Sequence, residues 1–396
     1  MTQMPRKLLT VAARTAAAGG AVVLCLGGAQ AASAAPRPDA FTVPCKAAAL
    51  RTAISAATSG ATLSLTSGCT YTLTAGLPAI TKTLTITGHG ATVERSYANG
   101  TPDFSVFTVN TGGGELNLID VNVRHGGGDT EYFGGQIDNE GAVTIDGGTF
   151  SDADGGEYGG GIYNNGSLVV RNADFRDNTG YYAGAIYNDD DLTVTDASFS
   201  GNTAFDGFGG AIYTEGVNVL IANSKFTDNS TDYTGGAIYN EYDMTLTGST
   251  FTGNEAEYGG AVYNNDDATI SGDTFTGNGG AFGGGLYNDD EATVDNSTFT
   301  DSSSYYGGGI YNDAGTLELD NDMIAHNGAT DEGGGIYNEA ALTTDGTFSV
   351  MDNTSAVGGG GIYNYGKGTV SLFYAQVSGN DPNNCEPVAT IGGCHN

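Results

Sequence analysis

Lysine and arginine are scarce in this chain: 13 against 46 aspartates and glutamates, a formal net charge of −33, with none between Lys225 and Lys367. Nucleic acid and anionic lipid are therefore poor partners, because both are held by clustered positive charge. Within that same stretch no cationic side chain can meet an acidic substrate.

A long apolar run is also missing. The stretch Ala21 to Gly28 is too short and too rich in Ala and Gly to span a bilayer. With Arg6, Lys7 and Arg14 before it and Ala32 and Ala34 after it, it reads as the core of a signal peptide over residues 1–34, removed before folding. The expectation is a secreted protein, extracellular or associated with the cell surface and not inserted in a membrane. Cys25 lies in this segment without the small preceding residue that a lipoprotein signal wants.

Cysteine is rare, and the four outside that segment fall in two pairs, Cys45 with Cys69 and Cys385 with Cys394. In an exported chain such pairs favour disulfides. A bridge closing the first loop is worth about 3 kcal/mol in the chain-entropy view, and both pairs sit near the ends, where a stacked repeat frays. The spacing and the lack of nearby histidines do not suit zinc.

Helical spacing of apolar residues is nearly absent. Residues 46–57, with Leu50 and Ile54 four apart, form the one good helix candidate, expected to cap a solenoid after a leader that together with it spans 35–61. Elsewhere the apolar residues alternate, as in Leu192-Thr-Val194-Thr and Ala268-Thr-Ile270-Ser, which is the pattern of strands.

What is abundant is glycine, 65 residues, arranged in a repeat. A tetrad Gly-Gly-Ala-Ile followed by Tyr-Asn recurs with its apolar residue at Ile137, Ile162, Ile186, Ile212, Ile238, Val262, Leu286, Ile310, Ile336 and Ile362, at intervals of 24 to 26 residues. Each copy is followed by Phe-x-x-Asn, strict at Phe175/Asn178, Phe199/Asn202, Phe226/Asn229, Phe251/Asn254 and Phe275/Asn278, and relaxed at Ile324/Asn327, Val350/Asn353 and Val377/Asn380. A period of this length with strand chemistry predicts an all-β fold: a single-stranded parallel β-helix over 62–380 with coils of 24 to 26 residues. Residues 62–130 read as irregular coils, and 381–396 as a disulfide loop closing the far end. The tetrad Ile, the alternating apolar residues and the motif Phe should point inward and stack. The asparagines Asn164, Asn188, Asn240, Asn264, Asn288, Asn312, Asn338 and Asn364 read as corner residues bonded to their equivalents, not as chemistry.

The paired Gly-Gly-Ala-Ile and Phe-x-x-Asn tetrapeptides resemble the repeats of the chlamydial polymorphic membrane proteins, over roughly residues 134–380. Both ends also look like secreted actinobacterial proteins bearing this repeat. The resemblance implies a β-helical passenger and adhesion as a class of function, and it offers no catalytic residues to transfer. Its β-barrel anchor has no counterpart here, so outer-membrane anchoring is not expected to carry over. Right-handedness follows from the resemblance and the chirality of parallel crossovers.

Stacking turns one outward residue per coil into a linear array. The tyrosines Tyr163, Tyr187, Tyr213, Tyr239, Tyr263, Tyr287, Tyr311, Tyr337 and Tyr363 should face away from the core, and they are the candidate ligand platform; a second aromatic row stands at Phe133, Tyr158, Tyr182, Phe208, Tyr233, Tyr258, Phe282 and Tyr306. The bland alternative is that both rows merely stabilise a sheet face. An acidic row at Asp189, Glu215, Glu241, Asp289, Asp313 and Glu339 either splays into water or is bridged by calcium.

Non-catalytic binding of a polysaccharide or another cell-surface component, in the manner of an adhesin, is the expected function, with no cofactor other than calcium and an oligomeric state the sequence does not reveal. The enzymatic alternative, a polysaccharide lyase or glycoside hydrolase, would centre on Arg124, Asp152, Asp154 and Arg176, with His125 and Arg171 as further basic candidates. A structural coat or an ice-binding solenoid ranks third, the latter on a threonine row at Thr144, Thr193, Thr245, Thr269, Thr293 and Thr344 broken by Val169, Leu220 and Glu318.

Overall fold

The computed structural model describes residues 41–128, 134–205 and 207–395. The expected signal peptide, most of the leader and Phe133 lie outside these residues.

Each regular coil carries three short strands, and several coils add a fourth of two residues, such as Thr203–Ala204 and Ser230–Thr231, in small three-stranded sheets. One such coil consists of Ile238–Asn240, Met244–Thr247 and Thr250–Thr252. The first strand of every coil joins a 12-stranded sheet, and the second and third join a 26-stranded one. The named strands pair in parallel, and in the regular coils like meets like, Ile on Ile, Phe on Phe and Asn on Asn, while the pairing of Thr83–Arg95 with Glu115–Arg124 shifts register between Thr87 and Ala91. The chain is thus a right-handed parallel β-helix.

The inward ladders form as the alternation requires. Phe150, Phe175, Phe199, Phe226, Phe251, Phe275 and Phe299 are fully buried, with neighbouring rings stacked at centroid distances such as 4.8 Å between Phe226 and Phe251. Burying such a ring relative to truncating it is worth about 3–5 kcal/mol. Corners need a residue that tolerates positive φ, and the chain supplies Asn, Asp or Gly there: Asp177 (φ 51°), Gly201 (62°), Asp228 (53°) and Gly253 (65°) take the same corner in successive coils.

Asparagine ladders line two corners. Asn178, Asn202, Asn229 and Asn254 are wholly buried, and each side-chain amide donates to the Oδ1 of the next coil at 2.9 to 3.0 Å. Each also donates to a phenylalanine carbonyl of the preceding coil, as Asn202 does to Phe175 O at 3.1 Å. The tetrad asparagines form the second ladder, for example Asn264 to Asn288 at 2.9 Å. Thr214 interrupts it, and the buried Oδ1 of Asn240 is left without a partner.

At the N-terminal end the helix Ala47–Ala56 sets Leu50, Ala53 and Ile54 against the first coil. Cys45 is bridged to Cys69 and Cys385 to Cys394. Strand pairing reaches beyond the expected limits of the solenoid, because Phe41–Val43 pairs with Ala61–Leu65, and Cys385–Glu386 and Ile391–Gly392 add to the last coils. The terminal loop is therefore a partial coil pinned by its disulfide. Among the described residues no helix is long and apolar enough to cross a membrane.

Candidate functional site: a groove along the solenoid

The tyrosine row faces away from the isoleucine core, as alternation requires, yet it is not an exposed platform. Tyr163, Tyr187, Tyr213, Tyr239, Tyr287, Tyr311 and Tyr337 are between 4 and 9% exposed, and Tyr263 and Tyr363 are half-buried. The reason is the second aromatic row. The segment before each glycine pair folds back over the sheet, so Tyr158 lies edge-on to Tyr187 at 4.9 Å and Phe208 sits 5.0 Å from Tyr239. The glycines make that reversal possible, since a Cβ on Gly259 would stand 2.3 Å from the Val262 carbonyl oxygen. The tyrosines stack on one another as well, at 4.7 Å for Tyr187 and Tyr213 and 5.0 Å for Tyr213 and Tyr239. Tyr233 leaves the covering row: Thr234 takes its register opposite Tyr258, and Tyr233 turns outward, 47% exposed.

The acidic row meets the tyrosine hydroxyls. Tyr163 donates to Asp189 at 2.8 Å, Tyr187 and Tyr213 both to Glu215 at 2.5 and 2.9 Å, Tyr239 to Glu241 at 2.6 Å, Tyr263 to Asp289 at 3.2 Å and Tyr311 to Glu339. Asp313 stands in the same relation to Tyr287. Partial burial pushes the carboxyls of Asp189, Glu241 and Asp289 up, against the lowering effect of their tyrosine bonds. It drives the phenols of this row far above their usual range. One carboxylate per coil does not make a cation cage. Among the described residues no three His, Cys, Asp or Glu side chains converge to hold a metal, so the residues expected to share calcium are dispersed along the ladder.

Of Arg124, Asp152, Asp154 and Arg176, the structure joins Arg124 and Asp152, with the further candidate His125 nearby. Arg124 and Arg176 do share one row with Ser151 between them. The Arg124 guanidinium reaches Asp152 at 3.1 Å, but Arg176 turns to Asp174 at 2.6 Å, and Asp154 is exposed one bend further on. Asp152 is a corner residue with φ 54°, equivalent to Asp177 in the next coil. Its partial burial works to raise its carboxyl, but hydrogen bonds from Ser151 and Arg124 outweigh this and hold it low. His125 lies 3.9 Å from both Glu94 and Asp152 with Tyr97 on its ring, and burial lowers its pKa. This is an ion-pair network at a corner.

The threonine row has a different membership from the expected one. Thr144, Thr193, Thr245, Thr269 and Thr293 align with Val169, Leu220 and Glu318 as read, but the register sets Thr343 beside Glu318 and turns Thr344 inward, 2% exposed.

A hollow of about 660 Å³ lies on this threonine face between Thr193 and Thr293, and a longer groove lies between the Phe-x-x-Asn corner and the next glycine pair. The longer groove, of about 950 Å³, runs across successive coils from Thr203 to Thr330. Its floor is a row of small buried residues, Ala204, Thr231, Ala256 and Ser304 among them. One wall carries Thr203, Ser230, Glu255, Gly279 and Ser303, which are paired coil to coil. The other carries the residues two positions later: Phe205, Asp232, Glu257, Ala281 and Tyr305. Phe205 (55% exposed) and Tyr305 (49%) stand at the two ends of this wall, four coils or about 19 Å apart at the strand spacing. The run Gly279-Gly280-Ala281 widens the middle. A smaller hollow of about 520 Å³ at Tyr181, Tyr182 and Phe205 continues the groove toward the N-terminal end.

This site was not read from the sequence. Its residues belong to the stretch of the repeat without a motif, and the only signal is that one register holds an aromatic, two acids, an alanine and an aromatic in successive coils.

The family described as right-handed β-helix region matches residues 134–290 and 237–395. No curated protein and no solved structure matches the chain significantly. With two overlapping matches covering most of the described coils, and the parallel coils themselves in view, the chain belongs to the right-handed β-helix family.

Proposed function

We propose that this protein is an extracellular, non-catalytic glycan-binding solenoid, and that the groove between Phe205 and Tyr305 is its binding site. The single observation that carries this reading is the form of the groove. It is linear, open along its length, and lined by hydroxyls, carboxylates and flat aromatic rings. Sugar polymers are linear too, with hydroxyls that bond to Ser, Thr and carboxylate oxygens and apolar faces that stack on aromatic rings. The resemblance of the repeats to those of surface adhesins supports an adhesive use of such binding. Export is supported by the paired cysteines, both bridged.

Gly279 allows a test that spares the fold. Its φ is ordinary, and an added Cβ would find only the Ser303 carbonyl oxygen, at 4.0 Å, so a large side chain there fills the groove and not the core. Retention on a panel of insoluble polysaccharides, with and without calcium, should be lost in Gly279→Trp while its melting curve stays that of the parent. Retention unchanged by Gly279→Trp would refute the groove as the site, and new reducing or unsaturated ends in the same tubes would replace binding by catalysis.

A further inference from the structure

We infer that the groove selects a cationic glycan, an amino-sugar polymer with free amines, over neutral and acidic ones. The inference rests on the glycan reading above and concerns only which class of polymer fits.

Three carboxylates occupy the middle of the groove. Asp232 and Glu257 line the groove in successive coils, with one extra residue in the Asp232 coil before Thr234 meets Tyr258, and Glu255 lies two positions before Glu257. All three are exposed to the groove. At about 4.8 Å between coils, like charges repel by roughly 1 kcal/mol in water and more where solvent is partly excluded. No lysine, arginine or histidine is among the residues lining the groove. Glu257 is in hydrogen-bond contact with Tyr258, but no cationic side chain lining the groove offsets the charge of the three carboxylates. A polymer carrying ammonium groups would balance it with charge-assisted hydrogen bonds. A polyuronate would add to the repulsion, and a neutral polymer would strip water from the carboxylates without replacing their counter-charge.

The aromatic ends are an independent feature of the same wall. Phe205 and Tyr305 flank the acid pair, with the Tyr305 ring braced edge-on against Tyr306 at 4.7 Å. Flat rings add only a weak cation–π attraction for a small hydrated cation but offer a stacking surface for a pyranose. The order ring, acid, acid, alanine, ring along the groove therefore fits a sugar chain with amines at its centre. Gly279 and Gly280 leave room there for the polymer backbone.

The test is binding of soluble chitosan oligomers, their fully N-acetylated counterparts and polygalacturonate at mildly acidic pH, in low and high salt. The comparison runs across the parent, Gly279→Trp, the pair Asp232→Asn/Glu257→Gln, and a control pair Asp243→Asn/Glu318→Gln. The control removes the same charge from exposed positions outside this groove. The expected result is binding of the free-amine oligomers at least tenfold tighter than the acetylated ones. That preference should fall with salt and disappear in Asp232→Asn/Glu257→Gln but not in the control pair. Equal binding of amine and acetylated oligomers, still blocked by Gly279→Trp, would overturn the cationic preference and leave the groove as a glycan site. Amine binding weakened equally by both charge pairs would also overturn it, as unspecific attraction to an acidic protein. Binding of no oligomer that Gly279→Trp blocks would overturn both readings.

Discussion

Replacing Asp273 and Asp322 by serine should make the solenoid more stable at neutral pH and flatten the dependence of its stability on pH. At this corner a third ladder runs through Ser224, Ser249, Asp273, Ser297 and Asp322, in which each backbone N–H donates to the side-chain oxygen of the next coil. Serine is the ladder's own residue at three of these positions, so the substitution keeps the bond and removes the carboxyl. Asp273 and Asp322 are each 1% exposed, and burial raises both from 3.8 to about 7 in spite of the backbone N–H bonds they accept. In the fold each group holds its proton up to about pH 7, whereas the unfolded chain releases it near pH 4. The stabilising difference is therefore fully present below about pH 4 and is lost as pH rises toward 7. Holding a carboxyl at about 7 and not near 4 corresponds to about 4 kcal/mol per group lost across that interval. Asp189, Glu241 and Asp289, also raised by burial, act in the same direction. Thermal and urea unfolding followed by circular dichroism from pH 5 to 8 would read the effect. The parent should be more stable at pH 5 than at pH 8, and the double variant should gain several kcal/mol more at pH 8 than at pH 5. A parent equally stable at both, or a double variant with the parent's slope, would refute the reasoning.

Tyr239, Tyr263 and Tyr287 changed together to alanine should unfold the central coils, at roughly 3–5 kcal/mol for each lost ring, as read by loss of the β signal in circular dichroism; a folded triple variant would show that the stacked ladder adds little. Thr214→Asn should complete the tetrad asparagine ladder and give the buried Asn240 Oδ1 its missing donor, raising stability by about 1–3 kcal/mol. A lower unfolding midpoint for Thr214→Asn would show that the corner at Thr214 has no room for the amide.

The coil and its contents were legible because they repeat. A ladder demands the same residue at the same place in every coil, so Ile162 and its equivalents, Phe175 and its equivalents, and the asparagines of both motifs announce the fold by recurrence. The burial of the tyrosines was half legible. Both aromatic rows stand in the sequence, five residues apart at Tyr158/Tyr163, Tyr182/Tyr187 and Tyr258/Tyr263, but alternation within a strand says only which way a side chain points. It does not say that the preceding segment folds back as a lid. Asp152 stood out in the sequence as an acid near arginines, and its place in a left-handed corner, φ 54°, accounts for its presence there. The groove was not legible, because a binding surface on a solenoid consists of the positions where the coils differ. Phe205, Asp232, Glu257, Ala281 and Tyr305 become a row only when the register is known, since the spacing between them varies with the loops.

The most direct test of the glycan groove is amide hydrogen exchange with and without a retained oligosaccharide. The account predicts slowed exchange confined to the segments around Thr203 to Phe205, Ser230 to Asp232, Glu255 to Glu257, Gly279 to Ala281 and Ser303 to Tyr305. Protection on the threonine face or over the tyrosine ladder, with these segments unchanged, would contradict it.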